Sequence, residues 1–270
     1  MRTILPIVLG TVASATALPA AAQSLEQRVA QAPQDQALIF EYAAKPGVCG
    51  DGRNLMRIAE ADARVITRNG RQMVISDRVS MRGGECWLRP VRIELRGGTS
   101  PTELGASVGA TDRPERALDL GRVAPAEAVE FLLGAARRAR SSKAAETAVF
   151  AATLAEGVDP WRELLALARD EAVPGRVRKS AVFWVGQAVS ERATLGLSEL
   201  VEDDDVDLDA RETAVFALSQ RPDAEAVPAL IDIARSSPHP QLRRSAIFWL
   251  GQSRDPRALE WFEQVLLRDN

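Results

Sequence analysis

One histidine, His239, stands in the whole chain of 270 residues, with two cysteines, Cys49 and Cys86, one tyrosine and three lysines, Lys45, Lys143 and Lys179. Each scarcity removes a class of chemistry. A lone imidazole between Pro238 and Pro240 reads as a solvated turn residue. Serine–histidine catalysis would need it central to a cleft, and metal sites usually want more than one imidazole. The cysteine spacing excludes a Cys-x-x-Cys redox site, and two thiols without a histidine cluster build no zinc site. The formal charge of −3 is far from the strongly basic surface that non-specific nucleic-acid binding requires. No residue set anchors catalysis, and no cofactor or metal is implied.

Residues 1–22 are expected to be a secretory signal. Arg2 supplies the positive end, Ile4 to Leu18 the apolar stretch, and Ala20-Ala21-Ala22 the small residues before a cut at Gln23. The stretch is shorter than the ~20 residues of a spanning helix, and no other segment is long and apolar enough. Removing it takes away only Arg2 among charged side chains, so the mature chain would carry −4. The expected location is the periplasm or the exterior, with no stable membrane insertion after cleavage. In such an oxidising compartment, an even pair of cysteines is most simply one disulfide, Cys49–Cys86.

Residues 23–110 are expected to form a small β-rich domain carrying that disulfide, behind a possible leading helix in Gln23 to Gln36. Leu38-Ile-Phe-Glu-Tyr, Arg64-Val-Ile-Thr-Arg, Gln72-Met-Val-Ile-Ser and Val91-Arg-Ile-Glu-Leu-Arg are short β-patterned runs. Asn69-Gly70 between the second and third signals a hairpin. Some helix is expected between Gly52 and Ala63. Gly47-Val-Cys-Gly-Asp-Gly reads either as a tight turn or as a loop near a cation or phosphate, though it lacks the residues of either motif. Residues 111–124 read as a linker.

From residue 125 to 270 the chain repeats itself. Ala148-Val-Phe-Ala returns as Ala181-Val-Phe-Trp, Ala214-Val-Phe-Ala and Ala246-Ile-Phe-Trp, at intervals of 33, 33 and 32 residues. A fixed period of this size marks a solenoid, whose product is an extended surface and not a pocket. Arg178, Arg211 and Arg243 precede the alanine by three positions. Gln187, Gln220 and Gln252 follow it by six. A second helical segment follows each time, beginning at Trp161, Thr194, Val227 and Leu259. Asp159-Pro160, Ser237-Pro238 and Asp255-Pro256 read as helix starts, and Gly186 and Gly251 as helix stops. Each unit therefore reads as signature helix, turn, second helix.

Ankyrin and tetratricopeptide signatures are absent. Leu242-Arg-Arg-Ser-Ala-Ile-Phe-Trp-Leu-Gly-Gln-Ser-Arg-Asp-Pro-Arg-Ala-Leu resembles the HEAT-like repeats of the phycobilisome-lyase type, over about residues 125–267. The first unit departs from the pattern, with Ala145 in place of the arginine and Leu154 in place of the glutamine. The fold class is then mainly α, a HEAT-like α-solenoid of about four and a half helical hairpins preceded by the β-rich domain. The resemblance implies a docking scaffold and places the signature helix on the concave side.

At about 100° per residue, Val177, Ala181, Trp184 and Val185 share the core side, while Lys179, Phe183 and Gln187 face away. Phe150, Phe183, Phe216 and Phe248, flanked by Gln187, Gln220 and Gln252, then form either an exposed binding ladder or sideways packing between repeats. Arg178, Arg211 and Arg243 read as a structural ladder, bridging carbonyls or acids of the next unit. The acidic run from Glu202 to Asp209 reads as helix capping in a solvated loop, with calcium binding as the rival. The functional expectation is an exported, non-enzymatic scaffold for a protein partner. Its rivals are a bilin lyase or isomerase, disfavoured by export and by an array without cysteine, and a dedicated stabiliser of an envelope complex.

Overall fold

A computed structural model describes residues 23–52, 55–57, 64–68, 71–75, 86–110 and 116–268. The segment read as a signal, the Asn69-Gly70 turn and most of the stretch from Gly52 to Ala63 lie outside them. Within that stretch Leu55–Arg57 is strand, not helix.

Helix α1 (Leu25–Gln31) opens with a capping box, Ser24 and Gln27 each serving the other's backbone N–H. Strands β1 (Leu38–Tyr42), β7 (Val91–Arg96), β8 (Glu103–Val108) and β9 (Leu118–Arg122) form one sheet in the order β8-β7-β1-β9. A second sheet has the order β3-β2-β6-β5-β4, from β2 (Val48–Gly50), β3 (Leu55–Arg57), β4 (Arg64–Arg68), β5 (Arg71–Ile75) and β6 (Cys86–Trp87). The four runs singled out for β patterning are all strands, and β4 pairs with β5 antiparallel in the register a two-residue turn requires. Cys49 on β2 and Cys86 on β6 are joined, buried, with their Cα atoms 5.3 Å apart. The Gly47-to-Gly52 string is strand β2 flanked by tight bends, with Gly47 at φ 78° and Gly52 at φ 93°. It packs so closely that a Cβ on Gly109 would lie 2.5 Å from the Gly50 carbonyl oxygen.

The stretch expected to be a linker is partly sheet. Strand β9 pairs parallel with β1, Leu118 beside Leu38. Parallel pairing needs no adjacent hairpin, so local pattern carries no sign of it.

Nine further helices follow among the described residues: α2 (Pro125–Arg138), α3 (Ser142–Ala152), α4 (Trp161–Arg169), α5 (Gly175–Gly186), α6 (Arg192–Glu202), α7 (Leu208–Ser219), α8 (Asp223–Ser236), α9 (Pro240–Gln252) and α10 (Pro256–Arg268). They make a HEAT-like solenoid of two layers. Signature helices α3, α5, α7 and α9 form one layer, and α2, α4, α6, α8 and α10 the other. Each signature helix packs more closely on the outer-layer helix before it than on the one after it, so the hairpins are α2–α3, α4–α5, α6–α7 and α8–α9, with α10 as a half unit. The period is the expected one, but the phase is shifted. The ladder arginine supplies a reason: Arg211 donates to the Val201 carbonyl and Arg243 to the Ser237 carbonyl, clamping the turn that precedes the signature helix.

Helix starts follow prolines more faithfully than caps. Pro256 opens α10, where Asp255 accepts the Arg257 N–H at 2.9 Å. Pro160 stands immediately before α4. Helix α9 opens on Pro240 after His239, not at Ser237-Pro238. Gly186 is not a left-handed stop. An added Cβ there would meet Ala217 on α7 at 3.0 Å, so the glycine is explained by close helix approach.

A single core runs through both parts. Phe40 and Tyr42 on β1 are fully buried, and Phe40 meets Phe131 of α2 edge-on at 5.7 Å. Burying such a side chain stabilises by about 1.5–3 kcal/mol. The Tyr42 hydroxyl donates to the Ala151 carbonyl on α3 at 2.6 Å, and burial drives its ionisation far above the ordinary range. Lys45 N–H donates to the Leu154 carbonyl and Glu156 N–H to the Ala43 carbonyl. The first repeat therefore departs from the pattern for a visible reason. Ala145 and Leu154 are buried where the β-rich part covers it.

Candidate partner-binding face

The signature motif sorts its own faces. Ala148, Ala181, Ala214 and Ala246 are fully buried, as are Val149, Val182 and Val215 beside them. The phenylalanine one further on is rotated by about 100° from the valine and emerges. Phe150, Phe183 and Phe216 are half-buried, and Phe248 is 57% exposed. The signature helices pack more tightly on one another than the helices of the other layer do.

The rings make a continuous chain. Phe150 meets Trp184 at 5.1 Å, and Trp184 meets Phe183 edge-on at 5.1 Å. Phe183 stacks on Phe216 at 6.4 Å with planes 14° apart. Phe216 meets Trp249 at 5.1 Å, and Trp249 meets Phe248 at 5.0 Å. The rings touch across repeats and still present surface. Trp184 corrects the wheel assignment. Val177, Ala181 and Val185 are fully buried, whereas Trp184 is half-buried and belongs to the aromatic chain. Trp184 and Trp249 were findable, because both follow the signature phenylalanine directly.

Gln187, Gln220 and Gln252 are exposed near the ends of the signature helices. Polar rungs cross the other end of the layer. Glu146 pairs with Arg176, Lys179 with Asp209 at 2.7 Å, and Gln241 donates to Glu212 at 2.8 Å. The Lys179 ammonium holds the Asp209 carboxyl below its usual range, through the hydrogen bond first and its charge second.

The arginine ladder is less uniform than its spacing. Arg178 reaches forward to Asp207 of the next unit at 3.0 Å. Arg211 and Arg243 instead bind carbonyls within their own hairpin, and Arg211 also holds Asp204 at 2.7 Å. The acidic run is largely spent on such partners. Asp203 pairs with Arg169, Asp207 caps α7 by accepting the Ala210 N–H at 3.0 Å, and Asp204 also meets His239 Nε2 at 3.1 Å. His239 and Arg211 hold the Asp204 carboxyl below its ordinary value. Among the described residues no group of three or more His, Cys, Asp or Glu converges as a metal site would require.

Arg221 was not anticipated. It is buried at the end of α7, donating from Nε to Thr194 at 2.9 Å and from Nη2 to the Ser190 carbonyl at 2.9 Å. It also binds the Ala188 carbonyl and pairs with Glu225 at 3.0 Å. The corresponding positions are Ala188 and Ser253, so periodicity could not flag it. A cleft of about 500 Å³ opens between β7–β8 and the start of α3, lined among others by Leu95, Thr102, Leu104 and Lys143.

No curated protein matches the chain. The family model for HEAT repeats matches residues 195–270, from within α6 to residue 270, and the same period runs back through α3, so the helical array is a HEAT-like solenoid.

Proposed function

We propose that this protein is an exported, non-enzymatic scaffold that holds a protein partner along the inner face of its repeat array. The observation that carries this is the half-exposed aromatic chain from Phe150 to Phe248. Aromatic anchors dominate binding energy at protein interfaces, and HEAT-like arrays commonly serve as docking surfaces. Gln187, Gln220 and Gln252 supply donors and acceptors beside the rings. Export to the periplasm or beyond is supported by the signal pattern of residues 1–22 and by the buried disulfide. Among the described residues no helix is long and apolar enough to cross a membrane.

The test places a photo-crosslinking residue at Gln220 or Gln252 on the inner face, and at exposed Glu163 on the outer layer, in the producing cell. The inner positions are expected to yield one partner adduct that Phe216→Ala removes. Being half-buried, Phe183→Ala and Phe216→Ala should each lose about 1–2 kcal/mol in urea melts, between the ~0.5 of an exposed site and the ~3–5 of a buried one. Equal adducts from Glu163, or adducts indifferent to Phe216→Ala, would remove the ladder from the partner site.

A further inference from the structure

Strand β8 lies at an edge of its sheet, in the order β8-β7-β1-β9, so one side of it has no strand partner. An antiparallel strand turns its backbone groups alternately toward and away from its neighbour. Gly52 N–H donates to the Val108 carbonyl at 2.8 Å, so Val108 is among the residues that turn away from β7. By the same alternation Leu104 and Ala106 direct their N–H and C=O groups outward. Among the described residues nothing bonds to those groups. Leu104 and Gly105 also line the cleft of about 500 Å³ at the start of α3. Gly105 carries a second sign. Its backbone is not left-handed, and an added Cβ there would meet nothing within 4 Å. Glycine weakens a strand interior, and no contact inside the chain asks for this one. Such glycines mark the close approach of another backbone.

We propose that β8 is a strand-addition site for the C-terminal end of a partner protein, which pairs antiparallel with Leu104 and Ala106. Main-chain hydrogen bonds of this kind hold extended peptides on sheet edges. The direction follows from α3. Arg140 N–H donates to the Pro101 carbonyl just before β8, while the Ala151 carbonyl accepts from Tyr42, in the row of Val91 and Val108. Helix α3 therefore runs alongside β8 in the same sense. A strand antiparallel to β8 ends beside the start of α3, where the exposed Lys143 ammonium has no partner among the described residues. Arg96 at this end is paired with Glu103 at 3.7 Å. Glu94 also lines the cleft, but from the sheet face opposite Leu95 and α3. The charge left at the slot's end is thus an ammonium, which complements a chain-terminal carboxylate. A second copy would bring its own α3 and Gly52 against the same short edge, about 7 Å from Leu104 to Ala106, so a slender chain end is the occupant that fits. The cleft and the aromatic ladder are separate surfaces, and neither reading rests on the other.

The probe is a library of short random peptides displayed with free C-termini and selected on the purified full chain, the best binder then being measured by fluorescence anisotropy. Amidating its C-terminus, or Lys143→Glu, should weaken binding at least about tenfold. Ala106→Pro removes one outward N–H and no bond to β7, so it should abolish binding with the circular-dichroism melt intact. In the unaltered chain the peptide should slow amide exchange at Leu104 and Ala106 and leave Glu103 and Ser107, already bonded to β7, unchanged. Phe216→Ala should leave the affinity unaltered. A library that yields no binder would overturn the proposal, as would a binder that tolerates amidation or fails to slow those two amides. Sensitivity to Phe216→Ala would move the peptide to the aromatic ladder and overturn it equally.

Discussion

Arg221 shows how much one side chain can carry without a motif to announce it. Its guanidinium serves carbonyls beyond the end of α5, where the helix macrodipole favours a cation, and it neutralises Glu225 in a nearly dry setting. Arg221→Met should therefore cost about 3–5 kcal/mol in urea unfolding, since it strands Glu225 and those carbonyls. Lys179→Met, which breaks an exposed pair with Asp209, should cost under about 1 kcal/mol. Asp255 offers a pH test at the same scale. Hydrogen bonds from the Arg257 side chain and then its backbone lower the carboxyl to about 2, against an ordinary value of about 3.9. The stability this contributes is complete above about pH 3.9 and lost as pH falls through about 2. Asp255→Asn should be less stable than the wild type near neutrality, and that gap should close between those limits in melts recorded against pH.

At the scale of elements, the β-rich part was legible where a strand carries its own pattern. Leu38, Phe40 and Tyr42 alternate inward on β1, and Val91, Ile93 and Leu95 on β7. Strand β9 was not legible, because what makes it a strand is β1 alongside. Short β2 and β6 exist as a pair held by the disulfide, which closes a separation of 37 residues. Removing it as Cys49→Ser with Cys86→Ser should destabilise by about 3–4 kcal/mol in the chain-entropy account. Alkylation of the native, unreduced protein should find no thiol. Two reactive thiols would mean the bridge does not form.

For the whole molecule, the repeat architecture predicts unequal tolerance of deletions. Removing residues 215–246 takes out one full period together with Arg221 and its partner Glu225, joining Ala214 to Ile247 where Val215 stood. Removing only 215–230 leaves signature and outer helices out of phase. Because each unit contacts its neighbours alone, the full-period deletion should melt cooperatively and at the higher temperature by circular dichroism. A higher midpoint for the half-period deletion would show that the register is misassigned.

The sequence by itself determined the period, the buried alanine of each signature helix and the pair of cysteines. All of these follow from local spacing, which sets the face a residue occupies on a helix or strand. Tertiary structure decided the rest. Which helix closes each hairpin depends on where Arg211 and Arg243 find carbonyls. Whether Trp184 is core or surface depends on the neighbouring rings Phe150 and Phe183. The stretch at 118–122 becomes a strand only because β1 lies beside it. Each of these outcomes is set by a partner distant in sequence, and a one-dimensional pattern records the residue but not its neighbour.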